Sequence, residues 1–210
     1  MTTEIGGYVS GPAAATEATA VALAKTAGAR AIVLVEGISD QIALETLAVR
    51  RGRDLAAEGV VILPTGGAHG VTRYLRRFGP QGACVRLAGL CDAAEEGTLR
   101  RGLAAAGVGL PCHEDVERLG FHVCVEDLED ELIRAAGAAL VEDVFDAQGD
   151  LRSFRRMQRQ PAWRGKTREE QLRRFLGAGS RRKLRYAGLL VEAVSPDRIP
   201  RPLDAVLADV

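Results

Sequence analysis

Apolar positions keep two rhythms as far as residue 137 and only one beyond it. Residues 14–28 are Ala-rich with Leu and Val at helical spacing, which predicts a helix that Gly28 stops. The run AIVLV at 31–35 has no polar break and is rich in β-branched residues, the mark of a strand buried on both faces. Ser39 is placed to cap a helix over about 40–51, whose apolar face is Ile42, Leu44 and Leu47 and whose end is Gly52. VVIL at 60–63 predicts a second strand, PTGGAHG a loop, and residues near 70–78 a helix. Through Gly79-Pro80 the chain reaches a third strand over 83–90. Glu95 and Glu96 open a helix running to about Ala106, FHVCV at 121–125 is a fourth strand, and EDLEDELIRAAG a further helix. After Gly137 the strand signals stop. Helices follow at about 138–146, 150–159, 167–177, 181–195 and 202–209, with Pro161, Pro196, Pro200 and Pro202 at their boundaries.

Strands alternating with helices at this interval predict an α/β fold with a parallel four-stranded sheet flanked by helices and right-handed crossovers. The helical remainder is an all-helical C-terminal appendage. The expected organisation is an N-terminal helix within 1–29, the α/β domain at 30–137 and a basic helical region at 138–210. A length of 210 residues with 47% apolar content supports one sizeable core. Charges or glycines interrupt every apolar run short of a membrane span, and the first residues lack the pattern of a secretory leader. A cytoplasmic setting is therefore expected, with no membrane partner. Cys84, Cys91, Cys112 and Cys124 form no C-x-x-C pair and read as free buried thiols. The competing reading, a metal cluster of Cys112, His113, His122 and Cys124, has a spacing that fits no common zinc pattern.

A formal net charge of zero hides an asymmetry. Residues 1–150 hold 13 Lys/Arg against 22 Asp/Glu, residues 151–185 hold 13 against 2, and residues 186–210 hold 2 against 4. An acidic body beside a basic segment suits a cation-loaded site next to a polyanion. The same pattern arises when a basic helical face simply pairs with acidic neighbours.

Ligand sites in open α/β sheets lie outside the carboxyl ends of the strands. Three acidic features fall there. Glu36 follows the first strand in LVEGISD, with Asp40 one helical turn on and Gly37 allowing close backbone approach. Asp92 follows the third strand in LAGLCDAAEE, and Glu126, Asp127 and Glu129 follow the fourth in VCVEDLEDEL. Carboxylates gathered without cationic partners repel one another and call for a divalent cation; oxygen donors suit Mg²⁺ or Mn²⁺, which keep waters that phosphate oxygens can replace. Each feature also has a plain reading: an exposed loop Glu, a helix N-cap at Asp92, a solvated helix start at 126–131.

LVEGISDQIAL, LAGLCDAAEEG and VEDLEDEL, in this order over roughly residues 30–136, resemble the TOPRIM domain of the OLD (overcoming lysogenization defect) family of ATP-dependent endonucleases. The resemblance implies a TOPRIM-like fold and phosphodiester chemistry with Mg²⁺ or Mn²⁺. Glu36, Asp40 and Asp92 would hold the catalytic metal, and Asp127 and Glu129 a second. SRRKLRYAGLLVEAV followed by RIPRPLDAVL is similar to the family's C-terminal helical part, which carries a basic residue toward the active site. That makes Lys183 the candidate, with Arg182 the alternative. The family's D-x-D reads Asp92-Ala93-Ala94 here, so its second Asp is missing, and Glu95 is the possible substitute ligand. The ATPase that usually accompanies such domains would have a G-x-x-x-x-G-K-[ST] motif, and this sequence has none. A separate ATPase partner is the expectation if ATP is used. The tract GGAHG at 66–70 reads either as a plain Gly-rich turn or as an anion nest in which Gly66, Gly67 and His69 meet phosphate.

Two functions follow. One is a divalent-metal-dependent nuclease or phosphodiesterase acting on DNA or RNA, with nucleotidyl transfer as the neighbouring enzyme class. Arg152, Arg155, Arg156, Arg159, Arg173, Arg174, Arg181 and Arg182 would grip the nucleic-acid backbone without reading its sequence. The other is a non-catalytic TOPRIM-like module that binds nucleic acid, nucleotide or a partner ATPase. With few aromatics in the basic segment (Phe154, Trp163, Phe175, Tyr186), little base stacking is expected.

Overall fold

The computed structural model describes residues 3–5, 8–10, 13–109 and 115–210; the side chains of residues 3–5, 8–10, 68 and 69 are not described. Two short strands, β1 (Thr3–Ile5) and β2 (Tyr8–Ser10), pair antiparallel ahead of helix α1 (Ala14–Lys25). The apolar pattern, which predicts only a helix in this part of the chain, does not reveal this hairpin. Then β3 (Ala31–Val35), α2 (Ile38–Arg50), β4 (Val60–Pro64), α3 (Ala68–Phe78), β5 (Arg86–Cys91), α4 (Glu96–Ala105) and β6 (Phe121–Val123) alternate as the apolar runs predict. The rest is helical among the described residues: α5 (Leu128–Ala147), α6 (Leu151–Gln158), α7 (Arg168–Leu176), α8 (Ser180–Ala193) and α9 (Arg201–Ala208).

The main sheet has the order β4-β3-β5-β6, all parallel. Its strands β3 and β4 are buried throughout and β5 and β6 in part, and their side chains alternate between two apolar layers. Val33, Val35, Val60, Ile62, Ala88 and Leu90 face one cluster; Ile32, Leu34, Val61, Leu63 and Phe121 face the other. Helices α2, α5, α7, α8 and α9 fill the first layer, α3 and α4 the second. The helical region is thus not a separate globule. Phe154, Leu172, Phe175, Leu190 and Leu207 belong to the same core cluster as the sheet residues. Gly137 (φ 75°) breaks α5 where the strand signals end in the sequence, and both halves of the helix stay packed on that core.

Boundaries shift for identifiable reasons. Gly37, not Ser39, caps α2, because the Asp40 carboxylate accepts the Gly37 N–H at 2.8 Å, and Ser39 lies buried within the first turn. β5 starts at Arg86 rather than 83, since Ala83 and Val85 bond back to Arg77 and Phe78 in a tight turn that places Cys84 at φ 54°. Cys84 is exposed, so the expectation of four buried thiols fails there; Cys124 is buried and Cys91 half-buried. Cys112 and His113 lie outside the described residues. His122 spends its Nε2 on Asp209 at 2.7 Å, tying α9 to β6 rather than offering itself to a cluster with Cys124. Among the described residues, no helix is long and apolar enough to cross a membrane.

Gly89 allows β5 and β6 to meet closely. A Cβ there would stand 2.6 Å from the Phe121 ring and 2.9 Å from the Leu34 carbonyl. Gly89→Ala should therefore destabilise the fold by about 1–3 kcal/mol through overpacking, read as a lower urea midpoint with an unchanged slope. An unaltered midpoint would show that the ring moves aside freely.

Candidate active site

The strand order determines where the acids meet. β3 and β5 are neighbours, but α2 leaves β3 toward one layer and α4 follows β5 into the other. Their carboxyl ends therefore flank a crevice at the topological switch point of the sheet. Glu36 sits at the end of β3 and Asp92 at the end of β5. With Gly37, Asp40, Ser180 and Lys183 they line a cleft of about 220 Å³. Lys183 enters from α8, which lies against α2. Gly188 permits this approach, since a Cβ there would already sit 3.3 Å from both Ile42 and Thr46.

The three acidic features separate on contact with the structure. Asp92 precedes a short 3-10 turn (Ala93–Glu95), but its side chain makes no capping hydrogen bond. The plain reading as an N-cap therefore does not hold. Its pKa is pushed up to about 8 by burial and by the charges of Asp40, Glu36 and Asp127. Asp40 is pushed up to about 6 by burial, against the pull of the Gly37 N–H and of Lys183. At the end of β6 the run does open a helix, but not a solvated one, since Glu129 and Glu131 are buried. One oxygen of Asp127 caps α5 through the Asp130 N–H at 2.9 Å, and the other accepts Nη2 and Nε of Arg173 at 2.6 and 3.1 Å. Buried Glu129 pairs with the Lys183 ammonium at 3.1 Å. Burial opposes the charge on Lys183, but Glu129, Asp40 and Asp92 outweigh it and hold its pKa above the ordinary lysine value.

The side-chain oxygens around the cleft are the carboxylates of Glu36, Asp40 and Asp92 and the hydroxyls of Ser39 and Ser180, the chemistry of Mg²⁺ or Mn²⁺ rather than of a thiolate or imidazole metal. Glu36, Asp40 and Asp92 line the one cleft, but among the described residues no three acidic, His or Cys groups stand grouped as a metal site. Ala94 is exposed and has no donor to offer. Glu95 lies on the other side of Glu36, where both line a small cavity of about 30 Å³ with Thr65 and Cys91, so Glu36 borders both hollows. A wider groove of about 820 Å³ between α1 and α2 contains none of these acids.

The glycine tract packs against this edge. Gly66 and Gly67 have φ of 75° and 103°, and the Gly67 N–H donates to the Glu36 carbonyl at 3.2 Å, so that N–H fastens the loop to β3 instead of standing open to an anion. The His69 side chain lies outside the described part of the structure. Three of the arginines expected to face a backbone are engaged within the fold. Arg155 pairs with Glu142, Arg173 with Asp127, and Arg182 donates to the Phe175 and Ala178 carbonyls while stacking on the Phe175 ring. Arg152, Arg156, Arg159, Arg174 and Arg181 remain exposed. Of the aromatics, Phe154, Phe175 and Tyr186 are core, and Trp163 is half-buried beneath Arg174. Ser180 was not anticipated. The only hint of it in the sequence is the Gly-Ser that opens the basic helix at 179–180.

Residues 29–92 match the family described as "Overcoming lysogenization defect protein-like, TOPRIM domain". The fold matches the C-terminal region of the Xanthomonas campestris pv. campestris OLD protein with a TM-score of 0.67 and 23% identity, over 87% of this chain and 92% of that one. It also matches the C-terminal region of the Burkholderia pseudomallei OLD protein, with a TM-score of 0.63 and 22% identity over 86% and 96%. No curated protein was found to match the chain by sequence. Residues 29–92 are thus similar to an OLD-like TOPRIM domain, and the fold, helical region included, follows that of the OLD C-terminal regions.

The raised pKa of Asp92 has a consequence for stability. A carboxyl that titrates at 3.8 when unfolded and at about 8 when folded destabilises the fold increasingly as pH rises between those values, and by a constant amount above them. In metal-free buffer, Asp92→Asn should raise Tm over the parent at about pH 9 and leave the two nearly equal at about pH 4. Thermal melts across that range check this; a gain independent of pH would contradict it.

Proposed function

We propose that this chain, with its OLD-like TOPRIM domain, is a divalent-metal-dependent phosphodiesterase of the nuclease type acting on a nucleic-acid backbone. The observation that carries the reading is the state of Asp92: partly buried, free of any capping role, and sharing an open cleft with Glu36, Asp40 and Lys183. Such a group gains most when a cation joins it. Glu36 and Asp92 would hold a Mg²⁺ or Mn²⁺ ion, with Asp40 beside them and Glu95 reaching Glu36 from the neighbouring cavity. When bound, the ion supplies charge neutralisation at the phosphate and a more acidic water.

The remaining roles belong to the chain's own groups. Lys183 is aimed into the cleft and would stabilise charge developing on the phosphate oxygens. Ser180 and the α8 N-terminus line the same wall, where N–H groups favour an anion. Arg152, Arg156 and Arg159 follow one another at helical spacing and, with Arg174 and Arg181, would bind phosphates away from the cleft. The G-x-x-x-x-G-K-[ST] motif is absent from these 210 residues, so ATP hydrolysis coupled to the site would come from outside them.

The second reading, a module that binds without cutting, draws on Ala94, which leaves the position of the family's second Asp without an oxygen donor. Nicking of supercoiled plasmid and of RNA, each with Mg²⁺ and with Mn²⁺, separates the two. The phosphodiesterase reading expects metal-dependent cleavage that drops to background in Glu36→Ala and Asp92→Ala and by roughly 10²–10³-fold in Lys183→Ala. Nucleic-acid affinity with no cleavage in any metal would favour the binding module.

Affinity should in either case fall steeply with salt. Arg152→Ala and Arg156→Ala should each lower the log–log salt slope by about 1 while leaving sequence preference unchanged. An unchanged slope in both would move the docking face elsewhere.

A further inference from the structure

The family's chemistry and the acid count at this edge suggest two divalent ions, but the acids at the end of β6 are already neutralised from within. Resting on the reading above, we propose that the site takes one divalent cation, and that Arg173 and Lys183 occupy the electrostatic place of the second.

The geometry behind this is specific. Each Asp127 oxygen is in use, one accepting the N–H that caps α5 and the other accepting two N–H groups of the Arg173 guanidinium. A metal taking Asp127 would have to displace that arginine or uncap the helix. Arg173 is further held by Glu126 at 3.5 Å. Glu129 is buried, and its partner at 3.1 Å is the same Lys183 ammonium that borders the cleft. On the β5 side, Ala94 offers no side-chain oxygen to any ion. Charge points the same way. Glu36, Asp40, Asp92, Asp127 and Glu129, with Glu126 beside Arg173, gather six carboxyl groups at this edge. One divalent ion plus Arg173 and Lys183 supplies four positive charges, as two divalent ions would.

Side-chain cations differ from a second metal in what they allow. They need no loading, and they cannot activate a water as a metal does. Lys183 would therefore supply charge at the phosphate, and Glu36 and Asp92 would hold the one ion able to make a water more acidic.

The test counts Mn²⁺ bound to the full chain, by titration calorimetry and by the electron paramagnetic resonance signal of free Mn²⁺. The protein as it stands should bind one ion per chain and lose it in Glu36→Gln. The double variant Arg173→Gln/Lys183→Gln should bind two. Because both altered side chains are partly exposed, the fold should survive; a parallel measurement follows Tm against Mn²⁺ concentration, which should fit one site in the parent and two in the variant. Two ions in the parent would overturn the inference and leave the phosphodiesterase reading standing. One ion in both proteins would overturn the stand-in role of Arg173 and Lys183. No binding to the parent would overturn the inference together with the reading beneath it.

Discussion

Asp92 leaves β5 with no capping hydrogen bond to occupy its carboxylate, and Asp40 and Glu36 press on it electrostatically from the end of β3. That repulsion follows directly from the sheet. β3 and β5 must be neighbours for the order β4-β3-β5-β6 to form, and their following helices must part to opposite layers for both faces to be covered. The ends of the two strands then flank the crevice, and two runs of the sequence deliver acids to it. Burial there makes each charge more costly and each cation more welcome. The placement of α8, the capping of α2 by Asp40 and the fastening of the Gly67 loop to Glu36 all border this one crevice.

The helical region answers the repulsion, but charge does not hold it in place. Exposed or half-exposed ion pairs contribute about 0–1 kcal/mol each, whereas burying one large apolar side chain contributes roughly 1.5–3 kcal/mol. Phe145, Phe154, Phe175 and Tyr186 form a contiguous aromatic group with centroids 4.9–5.3 Å apart inside the shared core. That group and the close contact of α8 with α2 at Gly188 carry the docking. The ion pairs then orient what has been docked. Glu142 takes Arg155 and Arg168, Asp150 takes Arg185, Asp127 takes Arg173, and Glu129 takes Lys183. The charge asymmetry along the sequence is in large part a set of internal contacts, and five exposed arginines of the eight first singled out are what remains for a polyanion.

Local patterns alone were enough for the elements. Uninterrupted β-branched runs can only be strands covered on both sides, so 31–35 and 60–63 were legible, and every helix after Gly137 follows from its apolar spacing and its Pro or Gly boundary. Strand edges at 83–85 and the β1–β2 hairpin were not, since the first depends on bonds from Ala83 and Val85 back to α3 and the second on a pairing too short to leave a periodic signal.

The acids at the strand ends were likewise readable, because a carboxylate directly after a buried parallel strand has only one edge of the sheet to occupy. Their roles were not. Asp92 and Asp127 look alike in the sequence, each a residue that could cap the helix after it. Only the folded chain makes one a helix cap clasped by Arg173 and leaves the other without a capping bond in the cleft beside Glu36. Lys183 was one basic residue among thirteen in its segment until α8 came to rest on α2 and aimed it into the cleft. Sequence determines which groups are present and on which element, through short-range periodicity. Which of them neutralise one another is decided by contacts between residues 46 and 54 positions apart, and no local pattern encodes those distances.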